Sequence, residues 1–283
     1  RYMAAMNIGG MVTQLVFNLW VMPSVTDHLP WVYTVVGIAY FVTFMLMCVF
    51  VKEGKYPSAE RPENEGLPLW LRIYNWVALY FRQCYRHPFF IFLFLGTALN
   101  NASTTCRQVF NLLFATRELG MDAAQYGKVM AVGAFVSMGV IMLTGWIMDK
   151  IHPLRVFLAS GVIVILANIW GYYFVFDYHS FFTVGIAIIA VYAIQNVSNG
   201  PVFVALFPPE KYGQFCSANA MLNSALLIFA NYLGGIAIDL FGYRFIFVWD
   251  TLFTIAATVS LIYVYIKWKQ YGGAEHYVAP PTD

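Results

Sequence analysis

Charge is what this sequence has least of. Of its 283 residues, 16 are Lys or Arg and 14 are Asp or Glu. That is 11% in all, against roughly 25% in a soluble domain, and the mean hydropathy is +0.66. Such a composition excludes a water-soluble globular chain of this length. The net charge is only +2 and no run of basic residues occurs, which excludes a nucleic-acid partner. Cysteine is scarce too. Cys48, Cys84, Cys106 and Cys216 show no paired spacing, so neither a disulfide framework nor a zinc site is suggested, and they read as small apolar fillers. His28, His87, His152, His179 and His276 are scattered at loops and span ends and share no helix face with carboxylates. That argues against a hydrolytic or metal centre, so no enzyme activity and no cofactor are expected. A secretory signal is also missing. The chain opens at Arg1 and enters an apolar run at once, which reads as an N-terminally truncated chain.

What fills the space is apolar. Stretches long enough to cross a hydrocarbon core of about 30 Å recur throughout, and a helix is the only single-segment fold that satisfies its backbone in lipid. We read eight spans, at about 3–24, 31–52, 88–116, 127–148, 155–176, 181–207, 214–239 and 244–267. The expected fold is therefore all-α, a polytopic transmembrane bundle. With the N-terminus inside, Arg1, Lys52, Lys55, Arg61, Arg72, Arg82, Arg86, Lys150, Arg155, Lys211, Lys267 and Lys269 fall on the inner side. Only Arg117, Lys128 and Arg244 fall outside, with Arg107 left within a span. Short loops rich in Lys and Arg stay cytoplasmic, so both termini are placed there, and the plasma or inner membrane is the expected location.

One hydrophilic stretch interrupts the pattern, VKEGKYPSAERPENEGLP at 51–68. It divides the chain into two spans (1–52), a linker region (53–87), six spans (88–269) and a cytoplasmic tail (270–283). Within the linker region, residues 69–87 place Arg72, Asn75, Arg82, Gln83 and Arg86 within an arc of about 100° at helical spacing. Arg72 and Arg82 stand too close together for a span between them. An interfacial helix on the cytoplasmic leaflet is predicted, the alternative being an extension of the third span.

Polar residues inside the spans cost several kcal/mol each unless they face protein or water. In the third span, LNNASTTCRQVFN, Asn100, Thr104, Arg107 and Asn111 fold onto one helix face, with Ser103 at its edge. In the sixth, Tyr192, Gln195, Ser198 and Asn199 share a face just before an expected break at Gly200-Pro201. Asn7, Gln14 and Asn18 share a face in the first span, and Asn219 and Asn223 in the seventh. Four polar faces imply a shared aqueous interior; the alternative is interhelical hydrogen-bond glue at about 0.6–1.7 kcal/mol per contact. Arg107 can meet an anionic group of a solute, or pair with Asp250 or backbone carbonyls. Sequons at Asn101 and Asn196 lie in spans and are not glycosylation sites.

Two loop motifs carry a resemblance. The fourth span ends GWIMDKIHPLR, with Gly145, Asp149, Lys150 and Arg155. The seventh exits through Gly235, Asp239, Gly242, Tyr243 and Arg244. Together with the span count and the linker position, they resemble the C-terminal two-thirds of a major facilitator superfamily transporter, helices five to twelve. In that family's loop motif, His152, Pro153 and Leu154 stand where glycine and basic residues are usual, so the match is partial.

The resemblance implies a secondary transporter working by alternating access, with the six-span half built as two inverted three-span repeats and a solute site at mid-depth. It implies solute contacts from Gln14, Asn18, Asn100, Thr104, Arg107, Asn111, Tyr192, Gln195, Asn199 and Asn223, and gating by Gly145, Asp149, Lys150 and Arg155. Phe110, Tyr192 and Tyr232 could offer aromatic faces. The last helix of each repeat packs outside the cavity in the family, which speaks against Asp250 as the partner of Arg107. With amides and hydroxyls outnumbering buried charge, a sugar- or nucleoside-like solute is expected, the alternatives being an organic anion held by Arg107 or a receptor-like member of the fold. The expected partners are the solute, the bilayer and a coupling proton or sodium ion in a symport cycle, with a monomer when full length. No acid is read at mid-depth in a span, so the coupling ion stays open.

Overall fold

The computed structural model describes residues 2–21, 25–50 and 68–281, with side chains described for 7–20, 31–50 and 68–281. The helices are α1 (Tyr2–Val16, prolonged by a π-helical turn, Phe17–Val21), α2 (Val25–Phe50) and α3 (Leu69–Tyr85). They continue with α4 (Pro88–Leu113, prolonged by the π-helical turn Phe114–Glu118), α5 (Ala123–Lys150), α6 (Pro153–Phe174) and α7 (Tyr178–Leu206). A 3₁₀ turn (Pro209–Lys211) then leads into α8 (Tyr212–Phe241), followed by α9 (Phe245–Gln270) and the short α10 (Gly273–His276). No strand occurs among the described residues. Seven of the described helices are long and apolar enough to cross a membrane, from Trp31–Phe50 to Phe245–Gln270. The first expected span, at about 3–24, falls on α1 and its π turn, which is not among these seven; residues 1 and 22–24 lie outside the described residues, as do 51–67 of the linker and 282–283 of the tail.

Local chemistry sets the helix ends. Asp122 and Gln125 close a reciprocal capping box at the start of α5, with the Gln125 amide donating to Asp122 at 2.6 Å. Asp177 and Ser180 do the same for α7. Two His-Pro pairs open α4 and α6: the His87 and His152 Nδ1 atoms accept from the backbone amides of Phe89 and Leu154 at 3.2 and 3.3 Å, while Pro88 and Pro153 take the first helical position, where no donor is needed. Gly242 ends α8 at φ +84°, a conformation other residues rarely adopt. Just beyond it, the Arg244 guanidinium donates to the carbonyls of Tyr172 (2.9 Å) and Val175 and covers the Phe176 ring, so it satisfies the C-terminal carbonyls of α6.

One alternative falls away and one expectation changes. Arg86 and His87 form a bend between α3 and α4, so α3 is a helix of its own and not an extension of the third span. The break expected at Gly200-Pro201 does not occur. Instead α7 runs through Pro201, giving up only the hydrogen bond to the Val197 carbonyl.

In the packing, α4 lies against α8 and α9, α7 lies against α5 and α6, and α6 lies against α9. Exchanging the triplet α4–α6 for α7–α9 maps this set of neighbours onto itself, as a two-fold repeat of three helices requires. The helix α1 packs on α5, whereas α2 from Trp31 to Phe50 has no buried residue. Close approach rests on glycine at several crossings, including that of Gly133 on α5 with Ile189 on α7. A Cβ on Gly171 of α6 would stand 2.2 Å from the Phe247 ring of α9, and one on Gly96 of α4 would stand 2.7 Å from Leu261. Aromatic and aliphatic clusters fill both ends. Phe89, Phe90, Phe94, Phe215 and Trp268 pack on the linker side, and Phe114, Phe181, Ile246 and Phe247 at the far end. Between them lies a polar interior.

Candidate functional site

The polar interior centres on Asp250, which is fully buried on α9. Its Oδ2 accepts from Asn168 Nδ2 on α6 at 2.8 Å and from the Tyr192 hydroxyl on α7. Its Oδ1 accepts from the Ser103 hydroxyl on α4 and from Thr254 Oγ1 at 3.3 Å. Asn168 in turn accepts from Arg107 Nη1 at 3.2 Å. One amide thus joins the buried cation to the buried carboxylate, its oxygen toward Arg107 and its nitrogen toward Asp250. The guanidinium also lies 3.9 Å from the Phe247 ring centroid, a cation–π contact. Its Nε has no hydrogen-bond partner among the described residues.

This arrangement revises the sequence-based view of Asp250. The last helix contributes a carboxylate to the interior, because the small Gly171 lets α9 approach α6 and brings Phe247, Asp250 and Thr254 inward. Asp250 lies in the second turn of α9, near the start of that helix and not at mid-depth.

Against this network opens a cavity of about 470 Å³, lined by α1 and its π turn, α4, α5 and α7 with Phe247 of α9. Its polar lining includes Gln14, Asn18, Arg107, Gln108, Asn111 and Tyr126, with Tyr192 and Asn196 from α7. Among the described residues Asn18 Nδ2 and Asn111 Oδ1 are buried without a partner, so both are available to a solute or to water. Phe17, Phe181 and Phe247 supply apolar ring faces.

Five of the ten expected contact residues therefore line this cavity: Gln14, Asn18, Arg107, Asn111 and Tyr192. The other five lie apart from it. Asn100 accepts the Thr104 hydroxyl at 3.0 Å through its own carbonyl, both within α4. Asn223 accepts from Asn101 Nδ2 at 2.9 Å, and Asn219 from Thr97 at 2.9 Å, as bonds between α4 and α8. These two are the interhelical glue weighed against a cavity role. Gln195 is buried beside Gly161 and Thr258 where α6, α7 and α9 meet, its Oε1 without a partner, and the half-buried Asn199 likewise has an unpartnered Oδ1. A polar face three turns long is longer than the cavity, so only the far end of the α4 face opens into it.

Sequence reasoning missed Asn168, Gln108, Tyr126 and Asn196. Asn168 had a signal, a lone amide in the apolar run VIVILANIWG, which is costly in lipid unless bonded. Gln108 and Tyr126 had none beyond being next to polar positions or at a span end. Of the aromatic candidates, Tyr192 lines the cavity, Phe110 packs against Gly234, and Tyr232 is exposed.

At the loop between α5 and α6, Gly145 is buried, the Lys150 ammonium lies 3.7 Å over the Trp146 ring, and Arg155 lies 5.6 Å from the Trp268 ring. The exposed Asp149 stands at the last turn of α5.

No curated protein matches the chain. The family model described as Major Facilitator Superfamily matches residues 1–198 and again residues 93–276. Paired three-helix repeats, seven apolar spans and a cavity between helices agree with that match. The chain belongs to the major facilitator superfamily, and is an integral membrane protein of the secondary-transporter class.

Proposed function

We propose that this transporter moves a small, neutral, hydrophilic solute, of sugar or nucleoside type, by alternating access. The observation that carries the reading is charge balance: the one buried cation at the cavity, Arg107, is joined through Asn168 to the buried Asp250. The wall then offers amides, hydroxyls and ring faces without net charge. Gln14, Asn18, Asn111 and Asn196 supply donors and acceptors for hydroxyls, and Tyr126, Phe181 and Phe247 supply faces for a sugar or base ring. Asn18 Nδ2 and Asn111 Oδ1, unpartnered among the described residues, are the atoms a solute hydroxyl would satisfy. Asn100, Thr104, Gln195, Asn199 and Asn223 then serve the packing of the helices around the site. Gly145, Asp149, Lys150 and Arg155 belong to a closure at the inner face, with both termini cytoplasmic.

A second reading, an organic anion, is favoured by one observation, the unpartnered Nε of Arg107. A thermal-shift screen of the full-length protein against sugars, nucleosides and carboxylates separates the two. A neutral solute raises the melting temperature if the charge balance holds. Stabilisation by carboxylates alone, abolished by Arg107→Gln, would establish the anion reading instead.

A further inference from the structure

The helix α3 carries two different surfaces. Its second half is fastened to the protein: the Tyr80 hydroxyl lies 2.7 Å from Ser217 Oγ, the Tyr85 hydroxyl donates to the Ala218 carbonyl at 2.6 Å, and Gln214 Nε2 donates to Gln83 Oε1 at 2.9 Å. All three bonds reach the first two turns of α8. The first half faces outward. Leu69, Trp70, Ile73, Tyr74 and Val77 are each about half to three-quarters exposed. At about 100° per residue these five occupy an arc of about 140°. Arg72 and Arg82, both exposed, lie on the opposite side of the helix. No acidic residue occurs from 69 to 87.

An apolar stripe with two tryptophan- or tyrosine-type rings and an opposite face whose only charges are arginines is the composition that sits in the plane of a lipid interface. Rings of this kind settle at headgroup level, and arginines above them meet phosphate oxygens with matched geometry. A neutral surface would satisfy the stripe but not the arginines; an anionic one satisfies both. Position agrees, since α3 ends at the bend before Pro88, where the next span begins, and lies beside the start of α8. We propose that α3 is a docking surface for anionic lipid headgroups in the leaflet on the linker side, and that its fastened half ties this lipid contact to the start of α8. This stands whatever the solute of the cavity.

The test uses the whole chain in nanodiscs of phosphatidylcholine, or of equal parts phosphatidylcholine and phosphatidylglycerol, and follows amide hydrogen exchange of residues 69–81. Each exposed arginine near an anionic surface contributes roughly fivefold, so the two slow exchange about twenty-five-fold in the anionic discs. Added salt shrinks that difference. Arg72→Gln/Arg82→Gln abolishes it, and Trp70→Ser/Ile73→Ser speeds exchange in both lipids. Exchange equally slow in the two lipids would mean that something other than lipid charge covers α3, a partner protein included, and would overturn the proposal. A lipid-charge difference that survives loss of both arginines would overturn it equally.

Discussion

Replacing Asp250 by Asn removes a charge from the middle of the bundle while keeping the shape of the side chain. The hydrogen bonds can survive. If the new amide turns its oxygen toward Asn168 and Tyr192, its nitrogen meets Ser103 and Thr254, whose hydroxyls can accept. What is lost is the counter-charge of Arg107. Two hydrogen bonds and one amide separate the charges, 3.2 and 2.8 Å on either side of Asn168, which places them about 7 Å apart. At an effective dielectric of about 20, that attraction is roughly 2 kcal/mol. Converting charge-assisted hydrogen bonds to neutral ones adds about 1–2 kcal/mol. Asp250→Asn is therefore expected to cost about 3–4 kcal/mol, or roughly 6–15 °C in melting temperature for a chain of this size. Thermal unfolding followed by intrinsic fluorescence at one fixed scan rate measures it. Arg107→Gln/Asp250→Asn, compared with both single variants, should recover about 2 kcal/mol of coupling. The variant cavity also becomes cationic, so carboxylate solutes should stabilise Asp250→Asn and not the parent. A single variant within about 0.5 kcal/mol of the parent, or a double variant whose loss is the plain sum, would refute the charge balance on which the neutral-solute reading rests.

Gly171→Ala places a methyl 2.2 Å from the Phe247 ring, the ring that also lies under Arg107. We expect a loss of about 1–3 kcal/mol in thermal unfolding together with weakened solute binding, because Phe247 both packs this crossing and lines the cavity; Gly161→Ala, which lies along the same pair of helices but meets Thr258 Oγ1 at 2.9 Å, away from the cavity wall, serves as the comparison. His152 caps α6 through a neutral ring nitrogen, and burial, followed by the nearby Arg155, pushes its pKa below the usual imidazole value. The folded state therefore prefers the neutral ring, so this stability is present above the ordinary histidine pKa of about 6.5 and is lost as pH falls through the lower folded value. Melting temperature should decline from pH 7.5 to pH 5.5 by less in His152→Asn, which caps without titrating; an unchanged pH slope would exclude His152 as its source.

The sequence by itself settled what could be read from composition and period. Scarce charge and repeated apolar runs require a helical membrane bundle, because backbone polar groups in lipid have no other single-segment solution. The loop residues around Gly145 and Gly242 carried the family resemblance, and the face of α4 could be drawn from helical spacing alone. Periodicity says which residues share a face of one helix. It does not say which neighbour that face meets, or how far along it the neighbour stays. Hence Arg107 and Asn111 line the cavity, whereas Asn100 and Thr104 on the same face are closed off within the bundle, and Asn223 bonds Asn101 across to α4. Only the tertiary structure decided that Asp250 stands within reach of Ser103, Asn168 and Tyr192, residues separated from it by 58 to 147 positions. That meeting depends on the crossing of α6 and α9 at Gly171, a close approach between two helices that no pattern within either one encodes.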